Sequence, residues 1–281
     1  MNNPTTLIIG NTGKTGMRVE QQLHQLGVAT RGVSRSSAIP FDWTEPGTWQ
    51  AALSGMRSAY VTFQPDLAVP GAVDTMEQFI DVARATGLEK IVLLSGRGEE
   101  GAQRAEDVVI NSGLAWNIVR ASWFAQNFSE GFMLEGVLTG EMILPQSAVL
   151  EPFIDVDDIA EVAVAALTRD ALTNRLFEVT GPRLMTFADC VDAISKATGK
   201  TIEMKPVSVD EYIDYLQGMG LPADVQWLMR ELFTEVFDGR NASVATGVED
   251  ALGRPATDFD TYIDKALSSG IWQSGALREA G

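Results

Sequence analysis

The sequence is poor in the residues that form cross-links and metal sites. It contains one cysteine, Cys190, and one histidine, His24, among 281 residues. A single cysteine excludes an intrachain disulfide, and together the two residues supply too few ligands for a zinc site. We therefore expect no bound metal.

Basic residues are also scarce. The chain has 21 Lys and Arg residues against 38 Asp and Glu residues, which gives a net charge of -17. A nucleic acid needs a basic face, so this charge argues against a nucleic-acid partner. Residues 1–150 carry 10 basic and 15 acidic side chains, and the remainder carries 11 and 23. We expect an anionic cofactor in the more neutral half, although acidity also serves solubility.

Long apolar runs are absent as well. No run approaches the roughly 18–20 residues of a membrane span, and Met1–Pro4 lacks the basic region of a signal peptide. These features predict a cytoplasmic protein that does not bind membranes. The sequence leaves open whether it is a monomer or a homodimer.

Strand and helix patterns alternate through the first 120 residues. The predicted strands are Thr5–Ile9, Val28–Ser34, Ser58–Phe63, Lys90–Ser95 and Trp116–Arg120, and the predicted helices are Lys14–Leu26, Thr48–Leu53, Val69–Thr86 and Glu99–Asn111. Short connections between such elements indicate βαβ units and a parallel sheet covered on both faces. The fold class is therefore α/β, with a Rossmann-type doubly wound parallel sheet.

The pattern after residue 120 is looser and mostly helical. Strands are predicted at Leu176–Val179 and Ile202–Pro206, and helices at Asp157–Leu167, Phe187–Thr198 with Thr186 as N-cap, Ser208–Gln217, Ala223–Phe237 and Asp258–Ser268. We predict an NAD(P)-binding domain over residues 1–155, to which elements return from 156–180. A smaller, mostly helical region over 181–281 would contact the substrate or a partner.

A glycine-rich turn follows the first strand and opens the first helix. Its residues are Gly10, Asn11, Thr12, Gly13, Lys14, Thr15 and Gly16. The first glycine allows the sharp turn, the second lets the backbone approach a pyrophosphate, and the third lets the helix pack against the sheet. This context predicts a dinucleotide-binding turn rather than a structural one. A P-loop would need glycine at position 8, which is Ile8.

The second strand ends without the acidic residue that binds the ribose of NAD. Arg35 and Ser36 stand there instead, followed by Ser37. A planar guanidinium suits a 2′-phosphate, whereas a carboxylate would repel it. The residues therefore favour NADP(H). Arg31 is a second candidate, and the alternative for Arg35 is a solvated loop residue.

The usual proton donor of short-chain reductases is absent. That donor is a tyrosine with a lysine four residues later. Here the residues four positions after Tyr60, Tyr212, Tyr215 and Tyr262 are Gln64, Leu216, Met219 and Ala266. Carbonyl reduction by a tyrosine–lysine dyad is therefore disfavoured, as is epimerase or dehydratase chemistry on nucleotide sugars.

The chain resembles the NmrA-like group of atypical short-chain dehydrogenase/reductases, and within it the ergot-alkaloid-type NADPH reductases. The matching segments are Gly10–Gly16, Lys90–Ser95, Ser112–Arg120, Trp123–Phe128 and Phe153–Ala160. The resemblance is good over about residues 5–200 and loose beyond. It implies a reductase acting on iminium or enone intermediates.

The resemblance also implies site residues. The cofactor would contact Thr62, Phe63, Gln64 and Pro65 at the ribose, Asp42 near the adenine, and Ser95, Gly96, Ala121, Ser122, Trp123 and Phe124 near the nicotinamide. Candidates for the substrate pocket are Arg97, Trp123, Phe124, Asn127 and Trp227, with Met229 and Phe233 as further candidates. Trp123 and Phe124 could instead be core aromatics, and Asp42 a helix-entry cap. Glu106 and Asp155–Asp158 are interpreted as structural.

Two functions fit these observations. One is an NADPH-dependent oxidoreductase that transfers hydride to a small-molecule iminium, enone or quinone without the dyad. The other is a non-catalytic NADP(H)-binding redox sensor that binds a protein partner. Loss of the dyad is compatible with both, so no catalytic residue is assigned.

Overall fold

A computed structural model describes residues 5–145 and 148–273. Met1–Pro4, on which the signal-peptide prediction rests, lie outside the described residues. The chain divides into two compact units. The first comprises the described residues of 1–121, 157–179 and 246–254, and the second those of 122–156, 180–245 and 255–281. None of the helices among the described residues combines the length and apolarity that a membrane crossing requires.

Eight strands form two sheets within the described residues. Their bounds are β1 (Thr6–Ile9), β2 (Thr30–Val33), β3 (Ser58–Val61), β4 (Lys90–Gly96), β5 (Ala115–Ala121), β6 (Glu141–Leu144), β7 (Arg175–Val179) and β8 (Glu203–Pro206). In the first unit the order is β2-β1-β3-β4-β5-β7, and every pairing is parallel. This arrangement confirms the predicted doubly wound sheet.

Twelve α-helices are present in the described part of the chain. They are α1 (Lys14–Gln25), α2 (Trp49–Leu53), α3 (Ala72–Ala85), α4 (Glu100–Ile110), α5 (Asn127–Glu130), α6 (Leu134–Thr139), α7 (Val156–Thr168), α8 (Phe187–Thr198), α9 (Val209–Gly218), α10 (Ala223–Glu231), α11 (Gly247–Leu252) and α12 (Phe259–Ser269). The predicted Thr186 cap forms a capping box with Asp189 at the start of α8. The helix predicted over 223–237 becomes π-helical at Leu232–Val236.

The first unit packs an aromatic cluster beneath its sheet. Trp49 and Phe79 are fully buried there, and the Trp43 ring lies edge-on to both, with centroids 5.9 and 5.1 Å away. The strands of the sheet are apolar because helices cover both faces. This core fixes the carboxyl ends of β1, β3 and β4 along one edge, since parallel strands end on the same side.

The second unit has its own aromatic core and a small sheet. β6 pairs in parallel with β8, and Phe187 stacks on Phe237 at 4.7 Å. This grouping differs from the predicted boundaries at 155 and 181. Residues 122–156 join the second unit because β6 needs β8 as its hydrogen-bonding partner. Residues 246–254 join the first unit because α11 packs against β7.

Candidate functional site

The glycine turn has the shape that a dinucleotide requires. Gly10 has φ +77°, a conformation that disfavours side chains, and a Cβ there would lie 2.3 Å from Thr62 Oγ1. A Cβ on Gly16 would lie 2.3 Å from the Gly10 carbonyl oxygen. The turn therefore has no room for a side chain at positions 10 and 16, as the sequence predicted for its first and third glycines.

The same turn presents the amino end of α1. Gly13 is the N-cap of this helix, with φ -83° and ψ 167°, and the first turn contains no acidic residue. Amide groups at such an end are unsatisfied by the helix and attract anions. The cradle and its charge fit the pyrophosphate of a dinucleotide.

Asn11 is held in place by a residue that sequence reasoning missed. Its Nδ2 donates to Glu20 Oε2 at 3.2 Å, and Thr30 Oγ1 donates to Glu20 Oε1 at 3.0 Å. A Cβ on Gly32 would lie 2.2 Å from Asn11 Nδ2, so β2 needs glycine at this point. Asn11 Oδ1 is buried without a hydrogen-bond partner in the described structure. The presence of Gly32 inside a predicted strand was the signal that could have revealed the close approach of Asn11 to β2.

Arg35 and Ser36 are exposed after the end of β2. Ser37 shapes this turn: its Oγ accepts from the Ser34 amide at 2.7 Å and donates to backbone carbonyls. Arg31, the second candidate, donates to the carbonyls of Ala52 and Ser54 at 2.9 and 2.8 Å. Arg31 therefore has a structural role at the end of α2.

Asp42 forms an Asx turn near this position. Its Oδ1 accepts from the Thr44 amide at 2.9 Å and from Thr44 Oγ1 at 2.8 Å. These bonds hold the pKa of Asp42 below its ordinary value, and the charge of Arg35 lowers it further. The structure thus brings Arg35 and Asp42 within electrostatic range, while the proposed contact of Asp42 with adenine stays a prediction.

The loop after β3 borders the glycine turn directly. Thr62 Oγ1 donates to the Ile9 carbonyl at 3.0 Å, and Trp43 Nε1 donates to the Thr62 carbonyl at 3.0 Å. The Phe63 ring lies 4.6 Å from that of Trp43, and the Gln64–Pro65 peptide is cis. The glycine turn and the loop after β3, two predicted parts of the cofactor site that are distant in sequence, are therefore adjacent.

An ionic network lies at the carboxyl ends of β4, β5 and β7. Ser95 Oγ donates to Glu106 Oε1 at 2.6 Å, and Arg120 binds both oxygens of that carboxylate. The hydrogen bond to Glu106 raises the pKa of Arg120. Glu106 is buried and structural, as predicted, but sequence reasoning missed its partner Arg120. The Ser95 proton is directed to this carboxylate.

Arg97 belongs to the same network. Its Nε donates to Glu178 Oε1 at 2.6 Å, and Arg120 Nη1 lies 3.8 Å from Glu178 Oε2. Arg97 and Glu178 are 81 positions apart in the sequence. No local pattern in the sequence indicates this pairing.

Two interacting carboxylates, Glu99 and Asp66, lie beside Gly96. A Cβ on Gly96 would lie 2.2 Å from Glu99 Oε1, so the Glu99 carboxyl occupies the space left by this glycine. Asp66 hydrogen-bonds Glu99, and burial raises the pKa of Asp66. Asp66 also accepts from the Ala68 amide at 2.8 Å. Neither carboxylate was predicted as part of the site.

The aromatic candidates after β5 lie in the second unit, where Trp123 belongs to the core. Its ring centroid is 5.4 Å from Phe187, 5.5 Å from Phe233 and 5.2 Å from Phe237. Trp123 therefore has the core position that the sequence left as an alternative, and Phe233 is also fully buried.

Of the remaining candidates in the second unit, Phe124 and Asn127 are adjacent, since the Asn127 amide donates to the Phe124 carbonyl at 3.1 Å. Phe124 bridges to Ile154, Asn127 begins α5, and Trp227 is 37% exposed on α10. Ser122 donates to the Pro152 carbonyl at 2.6 Å. Their assignment to a substrate pocket stays a prediction.

The tyrosines offer no acid in the first unit. Tyr60 is its one tyrosine, and it is fully buried in β3, where burial raises its pKa. In the second unit Tyr262 is also buried, and its hydroxyl donates to Ser129 Oγ at 2.9 Å. Within residues 5–145 and 148–273, no group of three His, Cys, Asp or Glu side chains is arranged to hold a metal ion.

Comparison with known sequences finds no matching family model, but several relatives span most of the chain. Prestalk A differentiation protein A of Dictyostelium discoideum is 28% identical, covering 91% of this chain and 84% of that protein. Agroclavine dehydrogenase of Claviceps fusiformis is 27% identical, covering 95% and 98%. NAD(P)H azoreductase of Xenophilus azovorans is 28% identical, covering 91% and 96%. The resemblance to ergot-alkaloid-type reductases is confirmed.

Solved structures share the fold at lower sequence identity. A nucleoside-diphosphate-sugar epimerase from Staphylococcus aureus has a TM-score of 0.79 at 14% identity, covering 92% of this chain and 99% of its own. NADPH-dependent quinone oxidoreductase of Escherichia coli, complexed with NADPH, has a TM-score of 0.78 at 16% identity, covering 94% and 100%. Triphenylmethane reductase of Citrobacter sp., complexed with NADP(H), has a TM-score of 0.73 at 16% identity, with the same coverage. The comparisons support the predicted NAD(P)H-dependent oxidoreductase and its cofactor.

Proposed function

We propose that this protein is an NADPH-dependent reductase that delivers hydride to an iminium, enone or quinone without a tyrosine–lysine dyad. The observation that carries the proposal is the closed glycine cradle. Side chains at Gly10 or Gly16 would collide with neighbouring atoms at 2.3 Å, while the amino end of α1 opens beside them. An enclosed, side-chain-free turn at a helix amino end favours a bound pyrophosphate.

Arg35 would select the phosphorylated cofactor. It is exposed after the end of β2, and the Asp42 carboxylate near it is already engaged by Thr44. A guanidinium can bind a 2′-phosphate with two parallel hydrogen bonds. Ser36, which is also exposed, would add a hydroxyl donor. NADPH, when bound, supplies the hydride.

The chain itself would provide positioning rather than a strong acid. Tyr60 is sequestered in β3, and the Ser95 hydroxyl is held by Glu106. An iminium ion needs no proton on hydride addition, and a quinone or activated enone takes its proton from water. Acceptors of these classes suit a site whose contribution is orientation and exclusion of solvent.

The test is a survey of acceptors. The protein is mixed with NADPH and with quinones, enones and iminium ions in turn, and the nicotinamide absorbance is followed. We expect oxidation by at least one class at a rate that saturates with acceptor concentration. Tight NADPH binding with no oxidation by any acceptor would instead support the redox-sensor function.

A further inference from the structure

A cavity of about 590 Å³ lies in the second unit, and the proposed reaction uses none of its lining residues. It is bounded by α6 with its preceding turn, by β6, and by α9 with the residues that follow. Its lining is predominantly apolar and includes Phe132, Met133, Met142, Tyr212, Tyr215 and Met219. The volume falls in the usual range for pockets that hold small organic molecules.

The cavity has a buried floor and an exposed apolar rim. Met142 and Tyr212 are buried on the floor, whereas Phe132, Tyr215 and Met219 are 43%, 44% and 52% exposed at the rim. Single exposed apolar side chains are common on protein surfaces, but a cluster around one opening marks a binding site. The rim therefore presents apolar surface to an incoming ligand.

The walls offer aromatic faces and thioethers. The rings of Tyr212 and Tyr215 are 6.5 Å apart and inclined by only 28°. Phe233 packs edge-on against Tyr212 at 5.4 Å, which holds that ring in place. Methionine sulfur makes favourable contacts with ring edges and adapts to irregular shapes. This lining suits a flat aromatic ligand.

The charge of the lining has one sign. Its two charged residues are Glu135 and Glu141, and it includes no lysine or arginine. Glu141 pairs with Lys205 at 2.6 Å, which offsets part of its charge. Glu135 is exposed at the opening. A carboxylate in the lining of a cavity that also contains aromatic rings attracts a cation and repels an anion.

We propose that this cavity binds a small aromatic molecule that carries a positive charge. The aromatic part would enter between the Tyr212–Tyr215 wall and the methionines, and the cationic group would face Glu135. The proposal concerns binding within the second unit, and it holds whether or not the protein is a reductase.

The experiment uses the full chain and three fluorescent probes that share one ring system. At neutral pH 9-aminoacridine is a cation, acridine is uncharged, and acridine-9-carboxylate is an anion. We expect the cation to bind about tenfold more tightly than the anion, with the neutral probe between them. NADPH should not displace the cation.

Two substitutions locate the bound probe. Glu135→Gln should weaken binding of the cation about fivefold and leave the neutral probe unchanged. Tyr215→Ala should weaken all three probes. The matched controls are Glu203→Gln on β8 and the exposed Leu150→Ala. Both residues lie outside the lining, so neither substitution should change the affinity for any of the three probes.

Several results would overturn the proposal. One is equal affinity for the three probes, and another is no binding of any of them. A third is displacement of the cation by NADPH with unchanged binding to Tyr215→Ala, which would locate the probe at the nucleotide turn. If Tyr215→Ala unfolds, the exposed Phe132→Ser replaces it in the same comparison.

Discussion

Ser95 Oγ donates a 2.6 Å hydrogen bond to the carboxylate of Glu106, which is buried on α4. Ser95 was predicted near the nicotinamide, yet its hydroxyl proton points into the ion pair of Glu106 with Arg120. This bond links the candidate site to the stability of the first unit.

The first prediction concerns this ion pair. Glu106→Gln removes the carboxylate that binds Arg120 directly and leaves Glu178 at the longer distance of 3.8 Å, and removing one partner of a buried pair is costly. We expect a loss of about 2–4 kcal/mol in the free energy of unfolding, measured by urea titration. Glu77→Gln, the same substitution at an exposed residue of α3, is the control. A loss no larger than that of the control would contradict the structural role of Glu106.

A second prediction tests the glycine cradle. Gly16→Ala places a methyl group 2.3 Å from the Gly10 carbonyl oxygen, so the turn must open. We expect NADPH affinity to fall by at least about tenfold, because the amides of the helix end lose their alignment. The control is Gly47→Ala, where a Cβ meets no atom within 4 Å. Isothermal titration calorimetry measures both, and equal affinities would argue against pyrophosphate binding at this turn.

The third prediction concerns the cofactor phosphate. Arg35→Ala should weaken NADPH about tenfold and leave NADH unchanged, because only the former carries the 2′-phosphate. Arg57→Ala is the matched control, since Arg57 is exposed and paired with Glu89 just before β3. Competitive titration with both nucleotides gives the ratio. Equal weakening of NADPH and NADH would show that Arg35 does not read the phosphate.

The fourth prediction is a pH dependence. Burial raises the pKa of Asp66, which hydrogen-bonds Glu99, so the folded state favours the protonated carboxyl. The stability from this proton is present below the pKa of the unfolded chain and is lost as pH rises through the folded pKa. Asp66→Asn keeps a hydrogen-bond donor at every pH.

The measurement for Asp66 is a series of melting temperatures between about pH 3 and pH 8, a range that begins below the ordinary pKa of an aspartate side chain. The difference in melting temperature between Asp66→Asn and the natural protein should grow in favour of the variant as pH rises. The exposed Asp81→Asn on α3 should show no such trend. A constant difference across the series would mean that Asp66 does not titrate as the structure implies.

Much of the first unit could be predicted from local patterns. The Lys90–Ser95 run predicted β4, whose observed bounds are Lys90–Gly96. In the second unit, Thr186 was predicted as the cap of α8. The region after residue 120 was harder, and α5, α6, β6 and α11 were not predicted. These elements are short, between 4 and 6 residues, so their sequences contain little periodicity. β6 forms a strand because β8 supplies its hydrogen bonds.

By itself the sequence determined the glycine turn, the alternation of strands and helices, and the lack of a tyrosine–lysine dyad. These features depend on backbone freedom and on residues close together in the chain. Only the tertiary structure decided that Arg31 binds the end of α2, that Trp123 lies in an aromatic core, and that Arg97 meets Glu178. It alone also formed the cavity beside Tyr215. The physical reason is that such partners are distant in sequence, and packing rather than local conformation selects among them.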